Sequence, residues 1–273
     1  MIIIKFIKFI GLLSLFCFTF LYTEKIIDIS IEQDEIMIKL QEQSTIKNIQ
    51  PINAVIENNT IIPGNVGKYI DIEESYKKMK KIGIFKESLI IYKDIYPEVS
   101  IYNNYNKYII NGNIKNKSIA LIYIINQNTL DDILNIIQNK NIKINFFIDS
   151  NYLNNNINII NKLINYEIYN YGNKGIYTKE NLIFTNNIIN TKANNNSTYC
   201  LFLKEDDTSI NNCANSKMLS ITPSINGNYN KIKDNLKNGS IILINNTKEL
   251  SNIIDYIKSK GYSIETLSNI IKE

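Results

Sequence analysis

Histidine, arginine and tryptophan are all absent from this chain of 273 residues. Without histidine, neither a Ser-His-Asp triad nor a Cys-His pair can be assembled, so the common nucleophilic hydrolase arrangements are excluded by composition. Without arginine there is no planar fork for phosphate, and a net charge of +4 is spread thinly along the chain, so nothing points to nucleic acid as a partner. Neither a P-loop nor a Gly-rich dinucleotide fingerprint is present. What fills the chain instead is isoleucine, roughly a fifth of it, and asparagine, roughly a sixth. Codon drift in an AT-rich genome accounts for that bias, which weakens any argument from a lone Asn or Tyr. An apolar content of 44% with 21% charged residues still belongs to a globular chain able to bury a core.

Residues 2–22 are apolar apart from Lys5, Lys8 and small polar side chains. A helix needs about 20 such residues to span a bilayer, and this run reaches that length. Lys5 and Lys8 lie near its start, where they favour retention of that end in the cytoplasm. A cleaved signal would prefer small residues before the cut, and Phe18-Thr19-Phe20-Leu21-Tyr22 offers few. Cys17 follows the bulky Leu15-Phe16, unlike a lipoprotein site. The expectation is a transmembrane signal anchor over residues 1–23, with a cell-membrane, single-pass topology and the C-terminal domains extracellular. Cys200 and Cys213 would then lie where disulfides persist. A bridge between them and a pair of buried thiols are both open readings.

Residues 24–50 mix charge with isoleucine and have no Gly, and they read as an extended or β-forming stalk. Residues 51–113 read as a small α+β module. Within it, Ala54-Val55-Ile56 and Thr60-Ile61-Ile62 flank a hairpin signal, and Pro63-Gly64 marks a turn. A helix is expected over Ile72–Lys81, with Asp71 as N-cap and Gly83 as its stop. A strand is expected at Leu89–Tyr92. After Lys117 the pattern becomes alternating strands and helices. Ser118–Ile125 is a continuous apolar run, as for a strand covered on both faces. Thr129 is placed to cap a helix bearing Leu130, Ile133, Leu134, Ile136 and Ile137. Ile142–Ile148 reads as a strand and Leu153–Ile164 as an amphipathic helix. Further strands are expected near Tyr166–Ile168, Leu182–Phe184, Tyr199–Leu203, Leu219–Ile221, Ile241–Ile244 and Tyr262–Ile264. A helix over Lys248–Ser259 and a short one after Thr266 complete the series. Such alternation implies a mostly parallel sheet, open or closed into a barrel.

Three stretches of residues 117–273 resemble the polysaccharide deacetylase (NodB-homology) family. Lys117-Ser118-Ile119-Ala120-Leu121-Ile122-Tyr123 is similar to that family's first strand, and Lys143-Ile144-Asn145-Phe146-Phe147-Ile148 to its second. Gly239-Ser240-Ile241-Ile242-Leu243-Ile244, with Lys260-Gly261-Tyr262 further on, is similar to its last strand and helix. The resemblance implies an α/β fold, an irregular (β/α) barrel of the polysaccharide deacetylase type, preceded here by the transmembrane helix and the small module. It also implies a divalent metal held by one Asp and two His, a second Asp as general base, and a late His that protonates the leaving amine.

Carried over, the Asp-Asp pair falls on Ile124 and Ile125, and the Gly after it on Asn126. The Gly-His-Glu-Ile-Gly-Asn-His segment falls on Asn165 through Tyr171, where Glu167, Ile168 and Asn170 match. The second ligand His falls on Gly175, and the late His on Asn245. No catalytic residue, no metal ligand and no cofactor is therefore expected. Glu205-Asp206-Asp207 is a conceivable oxygen-ligand site for a hard ion, against the plainer reading of a solvated acidic loop.

In strand-helix barrels the active surface lies at the carboxyl ends of the strands. That rim should collect Asn126, Asp149, Asn170, Tyr171, Asn245 and Asn246, amides and a phenol suited to sugar hydroxyls. The same residues also suit plain capping of strand ends, and Asp149-Ser150 suits a helix N-terminus, with Ser150 or Asn151 as the cap. Two functional readings follow. One is a membrane-anchored, catalytically inactive deacetylase-like protein of the cell envelope that binds glycan or acts as a scaffold. The other is a carbohydrate deacetylase, esterase or glycan hydrolase that works through carboxylates alone, which needs two carboxyl groups about 5–9 Å apart in the rim cleft. A barrel that merely supports an interaction by residues 51–113 is a further option.

Overall fold

The computed structural model describes residues 2–125, 128–193 and 197–273, with only the backbone for residues 2–8. The helices are α1 (Ile2–Glu32), α2 (Glu35–Lys47), α3 (Ile72–Ile82), α4 (Leu130–Asn139), α5 (Ser150–Asn155), α6 (Lys179–Ala193), α7 (Asp207–Asn215), α8 (Tyr229–Asn235), α9 (Leu250–Ser259) and α10 (Leu267–Ile271). The strands are β1 (Val55–Glu57), β2 (Thr60–Ile62), β3 (Gly67–Ile70), β4 (Tyr92–Ile95), β5 (Tyr108–Ile109), β6 (Ser118–Ile124), β7 (Asn145–Ile148), β8 (Glu167–Asn170), β9 (Tyr199–Leu201), β10 (Leu219–Ile221), β11 (Ile225–Gly227), β12 (Ile241–Ile244) and β13 (Ser263–Glu265). They form two compact units, Met1–Pro51 with Gly67–Ile95, and Ile52–Val66 with Tyr96–Glu273.

The first unit begins with α1, which from Phe9 to Glu32 is long and apolar enough to cross a membrane. Asp34 then caps α2, its carboxylate accepting from Ile36 N at 2.9 Å. Asp71 caps α3 by accepting from Glu74 N at 3.0 Å, and Gly83 ends that helix at φ 81°, the left-handed conformation its lack of a Cβ permits. Ile36 and Leu40 of α2 pack with Ile70 and with Met79 of α3, beside the antiparallel pair β3–β4.

The second unit is an α/β structure, an irregular (β/α) barrel. Its strand path runs β1-β2-β5-β10-β9-β8-β7-β6-β12-β11, parallel from β2 onward, with the β1–β2 pair antiparallel. Among the described residues β1 and β11 are not paired with each other, so the barrel is open. The β6 strand explains itself as a nearly unbroken apolar run with every residue but the last buried. Ile119, Leu121 and Tyr123 face an outer layer that includes Leu130, Ile133 and Ile137 of α4 and Ile253, Ile254 and Ile257 of α9. Ala120 and Ile122 face inward onto Phe147, Leu201 and Leu243. Full burial of each such Ile or Leu contributes about 1.5–3 kcal/mol before chain entropy is counted.

The amino-terminal end of the barrel is shut by α10. Leu267, Ile270 and Ile271 enter the inner cluster. Buried Asn145 donates to Leu121 O at 2.9 Å and accepts from Leu267 N at 2.8 Å, which ties the start of α10 to β6 and β7. Glu273 accepts from Gly64 N and Ile101 N, both at 3.0 Å, and so fastens the β1–β2 segment to the same end. This closure leaves the carboxyl ends of the strands as the open rim.

Several expectations are corrected. Residues 24–50 are mostly helical, because α1 continues to Glu32 and α2 follows at once; the abundant Ile and Glu serve an i, i+4 spacing as well as a strand. Residues 51–113 are not one module: α3, β3 and β4 belong to the first unit, whereas β1, β2 and β5 join the barrel sheet through β10. Leu182–Phe184 lies inside α6, where Leu182, Thr185, Ile189 and Ala193 are buried at helical spacing. Leu153–Ile164 is split into the short α5 and a 3-10 stretch, Ile157–Lys162. Leu89–Tyr92 divides between a 3-10 turn and the start of β4.

Candidate functional site

Where β6 and β12 end, the barrel opens into a cleft of ≈370 Å³ lined by Tyr123, Ile124, Thr129, Leu243 and Ile244, together with residues 245–248. Its floor is aliphatic. Ile125, which follows, is buried and donates its N–H to Phe147 O at 2.9 Å. Tyr123 Oη and Thr129 Oγ1 are 2.5 Å apart across the start of α4. Thr129 occupies the cap position of α4, but its hydroxyl is engaged by Tyr123 and makes no capping bond.

Asn245 is exposed and donates to Asn226 Oδ1 at 2.6 Å, linking the ends of β12 and β11. Asn246 accepts from Lys248 N at 3.0 Å, a cap on the turn that leads into α9. Both line the cleft, so the structure brings these two candidates together. Asn126 lies outside the described residues.

The remaining candidates form a second cluster at the ends of β7 and β8. Asp149 itself, rather than Ser150 or Asn151, caps α5: one carboxylate oxygen accepts from Asn151 N at 2.9 Å and Tyr152 N at 3.0 Å. Its other oxygen accepts from Lys174 N at 2.7 Å. Asn170 is fully buried; it accepts from Gly172 N at 2.6 Å and donates to Asn186 Oδ1 at 2.9 Å. Tyr171 is half-buried, and burial first, then the neighbouring Asp149 charge, raises its phenol above the usual range. The Asp149 carboxylate here is spent on the backbone, and the Asn170 amide on the backbone and on Asn186. Among the described residues neither Asp149 nor any other carboxylate lines the cleft at β6 and β12, so a pair of acids there, as glycosidic hydrolysis would require, has no support among them.

The fold implies a divalent metal, and the residues do not fit one. A site needs carboxylate or imidazole donors, and the positions concerned carry Ile125, Tyr171 and Gly175. Gly175 sits at φ 86°, and its N–H donates to Tyr171 O at 2.9 Å. Among the described residues no group of three His, Cys, Asp or Glu side chains could hold an ion. Asp206 accepts from Ser209 N at 2.6 Å as the cap of α7, and Glu205 accepts from Asn59 at 3.4 Å. The acidic run therefore serves as a helix start.

Tyr177 was not foreseen. It is buried in the structure, accepts from Leu201 N at 2.7 Å, and lies 3.0 Å from Asn170 O and 2.9 Å from Leu201 O, so one hydroxyl ties β8 to β9. Burial pushes it well above the ordinary phenol range. Beside it, Cys200 of β9 and Cys213 of α7 form a disulfide, which resolves the open choice between bridge and thiols. Tyr123, Thr129 and Lys248 were also missed as lining residues; the place of Tyr123 near the end of β6, and of Thr129 and Lys248 after β6 and β12, was the only signal available.

No family model matches the chain. An uncharacterized protein YlxY of Bacillus subtilis (strain 168) is 29% identical over 97 residues, 35% of this chain, and the match spans only 30% of that protein's length. Among solved structures, wild-type BA3943 of Bacillus anthracis, described as a CE4 family pseudoenzyme, superposes with a TM-score of 0.65 at 21% identity, over 88% of this chain and 96% of that one. A BA3943 mutant described as having restored enzymatic activity gives 0.65 at 20% identity, over 88% and 99%. PdaA of Bacillus subtilis, a family 4 carbohydrate esterase, gives 0.53 at 13% identity, over 81% and 97%. The chain thus has the CE4 polysaccharide deacetylase fold.

Proposed function

We propose that this protein is a degenerate CE4 deacetylase, catalytically inactive, held in the cell membrane by α1 and serving in the cell envelope as a glycan-binding or scaffolding module. The observation that carries the reading is chemical. At the strand ends where this fold performs deacetylation, the chain has Ile124, Ile125, Tyr171, Gly175 and Asn245, none of which activates water or holds a divalent ion at neutral pH. The BA3943 structures support it, because a protein with this fold is itself described as a pseudoenzyme.

Support for the location comes from α1, with Lys5 and Lys8 near its start, and from the Cys200–Cys213 bridge, since disulfides persist in oxidising compartments. Glycan is the partner that suits a cleft with an aliphatic floor and Asn245, Asn246 and Tyr123 around it. The test uses the full-length protein in detergent, incubated with acetylated amino-sugar oligomers and with purified envelope glycan. The expected result is no acetate release and no stoichiometric metal, with measurable glycan binding that weakens when Asn245 and Asn246 are replaced by Ala. Acetate release by metal-loaded protein would sink the inactive reading.

A further inference from the structure

Helix α7 has little apolar surface with which to hold its own place. Its sequence, Asp207-Thr208-Ser209-Ile210-Asn211-Asn212-Cys213-Ala214-Asn215, is mostly polar, and its buried residues are Ser209, Ile210 and Cys213. Nine residues are few for a helix, since isolated helices shorter than about 12–15 residues are marginal in water. Ile210 gives it one aliphatic contact with the cluster around Tyr177 and Met218. Tyr108 Oη accepts from Asp206 N at 2.8 Å at its start, and Met218 N donates to Cys213 O at 3.0 Å at its end. Its covalent tie to the sheet is the bridge from Cys213 to Cys200 of β9.

What α7 holds in turn is the rim loop between β8 and α6, residues 171–178. Tyr177 N donates to Ser209 Oγ at 2.9 Å, and Asn212 donates its amide N–H to Tyr177 O at 2.8 Å. Both backbone groups of Tyr177 are therefore satisfied by α7, and at 1% exposure the residue has no water to replace them. Ser209 and Cys213 stand four residues apart on the helix, so the contact to Tyr177 and the bridge share its inner side. On the sheet, Cys200 precedes Leu201, whose N–H is donated to Tyr177 Oη at 2.7 Å. The bridge thus joins the two elements that hold Tyr177, one at its backbone and one at its hydroxyl. The front of the loop is fastened separately, to the start of α5: Lys174 N donates to Asp149 at 2.7 Å, and Ser150 N to Gly172 O at 2.7 Å.

We infer that the Cys200–Cys213 bridge is a redox-dependent clamp on the rim loop. Oxidised, it fixes residues 176–178 through α7; reduced, it leaves α7 and residues 176–178 loose while the rest of the barrel stays folded. Closing the bridge removes two electrons and two protons from the two thiols, and they pass to a disulfide oxidant that leaves as two thiols. The back of the rim loop is therefore completed by an oxidation, and its order follows the redox state of the compartment in which the chain folds. The coupling holds whether or not the rim binds glycan.

The experiment uses the full chain in detergent, with Cys17→Ser to remove the exposed free thiol, and follows amide hydrogen exchange by mass spectrometry. Without the bridge, as Cys200→Ala with Cys213→Ala, residues 176–178 and α7 are expected to exchange at least about tenfold faster, with β6 and β12 within about twofold. A second variant, Ser209→Ala with Asn212→Ala, keeps the bridge and cuts its connection to Tyr177. It is expected to speed exchange over residues 176–178 while α7 stays protected. Adding the cysteine changes to that variant should then accelerate residues 176–178 by less than about twofold more, because the two sets of changes break one linkage. Unchanged exchange over residues 176–178 without the bridge overturns the clamp. So does acceleration spread evenly over the barrel, a variant that no longer folds, or two effects that simply multiply.

Discussion

The Tyr171 ring lies over Gly175, where a β-carbon would meet Tyr171 Cε2 at 3.6 Å and its hydroxyl oxygen at 3.8 Å. The two residues stand where the resemblance to polysaccharide deacetylases implies metal ligands, and each lies in van der Waals reach of the other. Gly175 also holds φ at 86°, a conformation that costs an L-residue about 1–2 kcal/mol.

Restoring ligands at these positions should therefore damage the fold before it yields chemistry. Gly175→His alone is expected to lower unfolding stability by about 1–2 kcal/mol through backbone strain. Adding Ile125→Asp buries a carboxylate at a site only 5% exposed, which costs several kcal/mol unless an ion is bound. Urea denaturation and zinc analysis of the variant with Ile124→Asp, Ile125→Asp, Tyr171→His and Gly175→His check this. Stoichiometric zinc at unchanged stability would show that the site had kept its shape.

The buried Cys200–Cys213 bridge closes a short loop with a sequence separation of 13. The chain-entropy model assigns such a loop about 3 kcal/mol. Replacing both cysteines by Ala should lower stability by about 2–4 kcal/mol and abolish the effect of reductant on the urea midpoint. Since both sulfurs sit in a closed cluster with Tyr177, Phe202 and Met218, reduction of the native protein should wait on local opening. Rapid reduction under native conditions would contradict the burial.

The first unit should depend on pH in a defined window. Lys80 beside Asp34, together with the Ile36 N–H, holds the Asp34 carboxyl below its usual range. Lys93, with the Glu74 N–H, does the same for Asp71. Lowered carboxyl pKa values give stability that is present above about pH 4 and lost as pH falls through the folded-state values. The partner lysines are raised, so their contribution is present below about pH 10 and lost at higher pH. In thermal melts, Asp34→Asn and Asp71→Asn should lie below wild type at pH 6 and converge with it near pH 2.5. A gap that stays constant with pH would dismiss the ion-pair account.

Much of the barrel was legible because buried parallel strands are written as apolar runs: Leu219–Ile221 and Ile241–Ile244 coincide with β10 and β12. The same rule misplaced Leu182–Phe184, since a three-residue apolar run carries no period and only its longer frame, Leu182, Thr185 and Ile189, reveals a helix. The split of residues 51–113 was hidden because β2 pairs with β5, and β5 with β10 across more than a hundred residues of chain. At the rim, the residue types were readable but their use was not. Asp149 and Asn170 look like ligand-binding groups in sequence, and only their backbone partners show that they hold the loops after β7 and β8.

Glu167 is a residue shared with the deacetylase pattern, and here its work is structural. Its carboxylate accepts from Tyr169 Oη at 2.5 Å and from Ser268 N at 3.3 Å, and the Ser268 hydroxyl donates to its other oxygen. Tyr169 is almost fully buried, edge-on to Tyr199 with ring centroids 4.7 Å apart, so its hydroxyl has no solvent to turn to. Removing the carboxylate strands that phenol at a cost of about 1–3 kcal/mol and frees the first turn of α10. If α10 loosens, Leu267, Ile270 and Ile271 lose part of their burial in the inner cluster. Glu167→Ala is therefore expected to cost about 2–4 kcal/mol in urea denaturation, with faster hydrogen exchange across α10. Glu167→Gln keeps one acceptor oxygen and should cost less than Ala. If Glu167→Ala lies within about 0.5 kcal/mol of wild type, the range of an ordinary surface substitution, the carboxylate is not what holds the barrel floor.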